Sequence, residues 1–501
     1  MKVLEKDYRE LKSDVKCIKI LPIEFIEKYN CLIYCKHING YVLLVNNNFE
    51  YYNINKLNFF IKDEIYLCYV NSLDWEVILK NIKISDNRSQ AISKYKIEND
   101  ISQQNLLNDD QKSIYNFEIE NSPIVKIIDS IIEEGISLKS SDIHFEPQEK
   151  NIKVRFRIDG KLHEKTELPI ESLLEISTRI KVLSNLDITK KYIPQDGKLI
   201  YKFEQRSYDI RVSILPGTFG ERIALRILDL HNGLLKLEDL KLSKYVSDKI
   251  NQILNFSSGL VLVVGPTGSG KSTTLHAFLE KNLNRNENII TVEDPVEYTI
   301  EGITQVQVNE EAGLDFAASL KTILRQDPNI IMIGEIRDLE TAQIACRASI
   351  TGHLVYSTLH TNTSVGVINR LKDMNVEPYL LVDSLRAVIS QRLVRCLCEK
   401  CKRKVRISKT EAKFLNTIDE VEVYTSVGCN YCNMTGFKGR RGIYEVIIFD
   451  DDFRKLISEN SSSTKFWNLI KKKKVLRMID DGKELVLNGI TSINELQSVL
   501  N

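Results

Sequence analysis

The run Gly265-Pro266-Thr267-Gly268-Ser269-Gly270-Lys271-Ser272, continued by Thr273, follows the apolar segment 259–264 and precedes helix-forming residues up to Leu283. Strand, glycine turn and helix in that order build an anion cradle. Glycines let backbone N–H groups curl around phosphate oxygens, where a side chain would block the approach. The helix that follows points its positive end at the same anion. Lys271 is expected to reach the β- and γ-phosphates, and Ser272 to ligate Mg²⁺. The spacing predicts a nucleoside-triphosphate site.

Three later segments end in residues able to act on a bound phosphate. The apolar run 289–292 delivers Glu293, Asp294 and Glu297, with Pro295 to stop the strand. Acidic groups at a strand's C-terminal end sit where α/β folds place ligands, although a solvated acidic turn would read the same way. The run 330–333 leads to Gly334 and Glu335. Glu335 is the leading candidate for polarising an attacking water as general base, a surface ion-paired glutamate being the alternative. Arg325 and Arg337 could answer phosphate charge or pair with these carboxylates. His353 and His360 flank the apolar run 354–359, with Thr358 and Thr361 as neighbours. No third ligand is spaced for a metal there, so a hydrogen-bonding or nucleotide-sensing role at the strand end is expected.

Cys398 and Cys401, then Cys429 and Cys432, form two C-x-x-C pairs. Four thiolates in paired knuckles suit a closed, tetrahedral, structural zinc, with redox use of a pair as the weaker alternative. The other six of the ten cysteines are scattered and read as small buried hydrophobes. Cys31 and Cys35 belong to that group.

The elements that must position these residues follow from periodicity. A chain of 501 residues should divide into roughly three or four domains. Residues 1–90 read as a small mixed module, with Tyr41–Val45 as a strand and 46–48 as a turn between strands. The polar stretch from Ser85 to Gln111 reads as a linker, placed at 91–112. Residues 113–235 open with an amphipathic helix, 124–135, followed by strands near 152–157, 208–214 and 222–227 that form a sheet with one wet face. Residues 236–395 alternate strands and helices as an α/β domain. A tetracysteine module then covers 396–445, and a charged helical tail covers 446–501. With 69 basic and 68 acidic residues, no global field draws the chain to nucleic acid or anionic lipid. Lys471–Lys474 reads as the solvated face of a tail helix. The start carries no signal-peptide pattern, and no apolar run approaches the roughly 20 residues of a membrane span. A cytoplasmic protein that meets membranes through partners is expected.

In order, the phosphate loop, Glu293–Glu297, Leu324–Pro328 with Gly334–Asp338, and Thr351–His353 with Leu359–Thr361 resemble the secretion ATPases of type II secretion and type IV pilus assembly. Ser141–Pro147 and Pro194–Gly197 are similar to the domain that precedes the motor core there. The likeness covers about 120–450. It implies a RecA-like P-loop ATPase domain, preceded by a PAS-like α+β domain and a small N-terminal α/β partner-docking module, with an inserted zinc module. It also implies a homo-hexamer in which Arg211 and Arg226 answer the γ-phosphate. Retraction-type pilus ATPases lack the cysteine module, so its presence favours assembly or secretion. Asn329 departs from the family's usual aspartate.

The resemblance implies Mg²⁺-dependent ATP hydrolysis at the inner membrane that powers a type IV pilus or type II pseudopilus. Lys271 and Ser272 would hold nucleotide and metal, with Asp294 as a second Mg²⁺ residue and Zn²⁺ on the cysteines. Glu293, Glu297 and Glu335 would organise water, and His353 and His360 would complete the site. The partners implied are a membrane platform protein and a docking domain of a membrane partner, without direct nucleic-acid contact. A DNA-uptake pseudopilus motor and a motor acting on DNA itself are the rival readings.

Overall fold

The computed structural model describes residues 2–4, 7–8, 11, 13–50, 54–57, 60–61, 63–105, 123–229, 235–283, 285–417 and 421–500. The chain divides into two compact units: residues 1–231 with 428–434, and residues 232–427 with 435–501.

Among the described residues, the first unit holds two sheets. In the smaller, the strands run in the order Lys2–Val3, Glu64–Tyr69, Gly40–Val45 and Cys31–His37. A turn follows strand Gly40–Val45 at Asn46–Asn48, as expected, closed by Phe49 N–H donating to the Asn46 carbonyl at 3.1 Å. The next strand, Glu64–Tyr69, lies parallel to Gly40–Val45, and a parallel return needs a crossover, here containing the helix Ile54–Leu57. Cys31 and Cys35 lie on a strand facing the core, where burial pushes their thiols up to about 12 and about 11. They are inert packing residues, as expected.

The stretch read as a linker is helical as far as it is described. One helix runs from Ser72 to Asn105, and residues 106–112 lie outside the described residues. Two short apolar stripes replace the single long one that would have been legible in sequence. Trp75, Ile78, Leu79 and Ile82 pack on the smaller sheet's core. Ala91, Ile92 and Tyr95 pack on the core of the larger sheet. Two serines of the second half turn back onto their own helix, Ser89 and Ser93 donating to the carbonyls of Ser85 and Ser89.

The larger sheet is antiparallel, in the order Lys161–Pro169, Asn151–Ile158, Asp142–Pro147, Gly220–Asp229, Arg206–Gly217, Gln195–Phe203. The helices Pro123–Ser137 and Leu173–Leu183 cover one face through Ile127, Ile128, Ile131, Ile176 and Ile180. Strand Asn151–Ile158 alternates buried and part-exposed residues throughout, so the other face carries the charges.

The second unit is built on a seven-stranded sheet, in the order Thr304–Gln307, Ile289–Glu293, Ile330–Ile333, Leu354–Leu359, Gly259–Val264, Leu385–Leu397, Phe437–Ile448. The last pairing is antiparallel and the rest are parallel. Strand Gly259–Val264 is buried along its whole length. Leu260, Leu262 and Val264 join the core on one face, and Val261 and Val263 the core on the other. Burial on both faces explains its unbroken apolar run.

The boundaries drawn at 395/396 and 445/446 cut through this sheet. Leu385–Leu397 and Phe437–Ile448 are its last two strands, with the cysteine segment inserted between them. Arginines at 392, 395, 440 and 441 hide these strands from a search for apolar runs. The tail is likewise integral: Phe453, Ile457, Phe466 and Ile470 pack in the core that holds Leu260. Lys471–Lys474 are exposed at the end of helix Ser463–Lys472, as expected, and Lys473 pairs with Asp450 and Asp452. No helix among the described residues is long and apolar enough to cross a membrane.

Candidate active site

Parallel strands deliver their C-terminal ends to one edge of a sheet, and that edge of the second unit gathers the motifs. After Val264 the chain turns through Gly265, Gly268 and Gly270, with φ of 153°, 77° and 86°, into the helix Lys271–Leu283. A Cβ at Gly265 would lie 2.3 Å from the Gln391 carbonyl oxygen, so both conformation and space require glycine there. Pro266, Thr267, Gly268, Ser272 and Thr273 are exposed, whereas Ser269 and Lys271 are buried. The Lys271 ammonium donates to the carbonyls of Gly265 at 3.0 Å and Pro266 at 3.1 Å. Burial lowers its pKa, and the charge of Glu335 works in the opposite direction. A desolvated cation held by two carbonyls, within the field of a carboxylate, is suited to an incoming polyphosphate.

Glu335 follows the buried strand Ile330–Ile333. Its segment is pinned to the next strand: Thr358 Oγ1 donates to the Gly334 carbonyl at 2.7 Å, and Ile336 N–H to the Thr358 carbonyl at 3.0 Å. The carboxylate is gripped from two sides. His360 Nε2 lies 3.0 Å from Oε2, and Arg337 Nε donates to Oε1 at 2.5 Å. Arg337 also reaches Asp294 at 3.2 Å and so ties two motif carboxylates together. Its own pKa is raised, first by the bond to Glu335. Arg325 does not join them; from the turn after helix Phe316–Ile323 it donates back to the Lys321 carbonyl. Serine hydroxyl and carboxylate oxygens are the donor class Mg²⁺ takes, so Ser272, Asp294 and Glu335 fit that ion.

Glu293 takes a different course from its neighbour Asp294. Alternation along the strand turns it into the protein, where it is 5% exposed. It accepts from His276 at 3.2 Å, Thr291 at 2.6 Å and Gln305 at 2.9 Å. Burial would raise its pKa, but these donors outweigh burial and hold it below the usual glutamate range. Glu293 is thus the centre of a buried polar knot. Glu297 is half-buried beyond the strand. His353 also departs from expectation, because it precedes strand Leu354–Leu359 and sits at the sheet's other edge. Its Nδ1 is 2.9 Å from the Ala348 carbonyl, and its own carbonyl accepts from Gly259 N–H. Asn329, the departure from the family pattern, lies at that edge too, where its Oδ1 accepts from Asn288 N–H at 2.8 Å.

Arg211 and Arg226 belong to the first unit, where they are direct register partners on antiparallel strands. Arg226 is exposed and donates through Nε to Asp142 at 3.1 Å, while Arg157 lies 3.3 Å from the same carboxylate. Lys198 is the register partner of Arg211 on its other side. One row across the charged face therefore carries four cations and one buried carboxylate.

The Sγ atoms of Cys398, Cys401, Cys429 and Cys432 all lie within 4.8 Å of one another. Cys429 and Cys432 are 3.7 Å apart, and the Cys429 N–H donates to Cys432 Sγ at 3.2 Å. Tetrahedral zinc with Zn–S of about 2.3 Å separates its sulfurs by about 3.8 Å. The cluster fits that ion, as a closed four-thiolate site.

Sequence reasoning missed two residues of this region, His276 and Gln391. Each touches a motif far from it in sequence, and neither carries a local signal.

Residues 118–498 match the family described as Type II/IV secretion system protein. Type II secretion system protein E of Aeromonas hydrophila is 45% identical over 384 residues, 76% of each chain. Type II secretion system ATPase E of Vibrio cholerae is 43% identical over 384 residues, again 76% of each. Among solved structures, the Legionella pneumophila ATPase DotB is similar in fold, with a TM-score of 0.56 at 23% identity, covering 74% of this chain and 94% of its own. The pilus retraction motor PilT with bound ADP is similar at 26% identity and a TM-score of 0.50, covering 74% and 95%.

Proposed function

The chain belongs to the Type II/IV secretion system protein family, and from that premise we propose that it is a hexameric, Mg²⁺-dependent ATPase driving assembly of a type II pseudopilus or type IV pilus at the inner membrane. The observation that carries this reading is the Glu335 carboxylate, held between His360 and Arg337 and acting electrostatically on Lys271. Lys271 takes the β- and γ-phosphates as the loop N–H groups close on them. Glu335 accepts a proton from the attacking water while His360 and Arg337 fix its orientation. Mg²⁺ would be held near Ser272, Asp294 and Glu335, where it supplies charge for the phosphate oxygens. Arg211 and Arg226 are assigned to the γ-phosphate of an assembled ring, as guanidinium forks on rigid strands. The cysteine cluster is assigned a structural zinc. The relatives' names support secretion, and contact with a membrane platform protein and a docking domain is part of the same proposal, as is a cytoplasmic location.

The test is ATP hydrolysis by the purified protein, with and without DNA, beside Glu335→Gln. Hydrolysis indifferent to DNA that falls by about 10²-fold or more in the variant is the expected result. Strong stimulation by DNA would replace this reading with a nucleic-acid motor. Full activity in the variant would remove Glu335 as base and leave Glu297 as the next carboxylate to test.

A further inference from the structure

Gln391 carries none of the motifs, yet it stands where the phosphate-binding loop is most constrained. The last paired residues of the two neighbouring parallel strands are Val264 and Ser390. The chain therefore reaches Gln391 on one strand as it leaves the sheet at Gly265 on the other. A Cβ at Gly265 would come 2.3 Å from the Gln391 carbonyl oxygen, and one at Gly270 would come 2.9 Å from its Nε2. A single residue thus bounds both the first and the last glycine of the loop.

The side chain is also locked in orientation. Gln391 is 2% exposed, and its Oε1 accepts from the hydroxyl of fully buried Thr274 at 2.8 Å. Thr274 lies three residues beyond Lys271, in the first turn of the loop's helix. With Oε1 committed to Thr274, the amide turns Nε2, its donor end, toward Gly270. Tyr444, on the last strand of the sheet, is the cross-strand partner of Gln391. The loop's floor is therefore tied to the antiparallel pair that closes the sheet.

We propose that Gln391 is a positioning residue for the nucleotide. It fixes the loop between Gly265 and Gly270 so that the backbone N–H groups and Lys271 meet the β- and γ-phosphates without reorganisation. The proposal rests on the reading of this loop as an ATP site. Phosphate contacts exist in both ground and transition states, so their loss appears in Kd and KM rather than in kcat.

The test uses the full chain, a fluorescent ATP analogue at equilibrium, and steady-state kcat and KM. Gln391→Leu should raise Kd and KM by about tenfold to a hundredfold while kcat stays within about threefold. Gln391→Glu should weaken binding further, because it places a carboxylate oxygen where the amide donor faced the loop. Thr274→Val should weaken binding and Thr274→Ser should restore it, which tests the lock without altering Gln391. A Gln391→Leu protein that melts lower but binds and turns over as wild type would reduce the residue to packing and overturn the proposal. Should Gln391→Leu fail to fold, equal affinities for Thr274→Val and Thr274→Ser would overturn it instead. Lys271→Ala separates the two levels. Wild-type protein that binds no ATP, or a Lys271→Ala variant that binds it normally, refutes the ATP reading. Loss in Lys271→Ala with indifference at Gln391 and Thr274 refutes only this inference.

Discussion

His353 and His360 stand at opposite ends of one buried strand, and of the two it is His360 that reaches Glu335, at 3.0 Å. The six residues between them span about 20 Å. His353 instead bonds to the Ala348 carbonyl at the far edge of the sheet. Within one chain the pair cannot serve one phosphate.

His360→Asn should therefore lower kcat by about tenfold or more, because the Glu335 carboxylate loses one of its two orienting partners. His353→Asn should leave kcat within about twofold and lower the thermal midpoint by a few degrees. ATP turnover and melting curves on both variants decide the matter; equal losses of turnover would refute the division of roles.

Glu293 should govern acid stability rather than chemistry. Its pKa is depressed in the folded chain, so its stabilisation is complete above the ordinary glutamate range and is lost as pH falls through the folded value. Glu293→Gln should cost about 1–3 kcal/mol near pH 7, since it leaves donors around a buried site unmatched. The gap to wild type should narrow below about pH 4.5. Urea unfolding at pH 7 and pH 4 measures both, and a gap that stays constant would contradict the assignment.

The cysteine cluster should hold one metal ion per chain. Elemental analysis is expected to find zinc in the wild type and to lose it in Cys429→Ser, with a thermal midpoint several degrees lower. Chelator treatment should reproduce the shift without mutation. A metal-free protein with an unchanged melt would leave the four thiols as simple packing groups.

Arg226 should matter to turnover in the assembled protein and not to nucleotide binding by the single chain. Arg226→Ala should reduce kcat by about 10³-fold with little change in the Kd of an ATP analogue. Arg226→Lys should not restore it, because an ammonium cannot both bond to Asp142 as Nε–H does and present a fork. Recovery in the lysine variant would mean that charge alone suffices.

The fold was legible wherever a contiguous run carries its own period. The helix expected at 124–135 and the strands at 152–157, 208–214 and 222–227 all lie within observed elements. It was illegible where apolar contacts are divided between two partners. Helix Ser72–Asn105 packs on one core through Trp75 and on another through Tyr95, so no single stripe marks it. The final strands Leu385–Leu397 and Phe437–Ile448 were hidden because their arginines break the apolar pattern.

The sequence by itself determined the glycine turn between a buried strand and a helix, the placing of an acidic residue at the end of each of two core strands, and the paired cysteines. These depend on neighbours within a few residues, where covalent geometry already sets distance and direction. Only the tertiary structure decided which candidates act together. Strand alternation sends Glu293 inward and leaves Asp294 at the surface with Arg337. Strand direction separates His353 from His360. The order of strands in the sheet brings Gln391 beneath a loop more than a hundred residues earlier in the chain. Such pairings arise from burying both faces of a seven-stranded sheet at once, a condition met by the whole chain and written in no single segment of it.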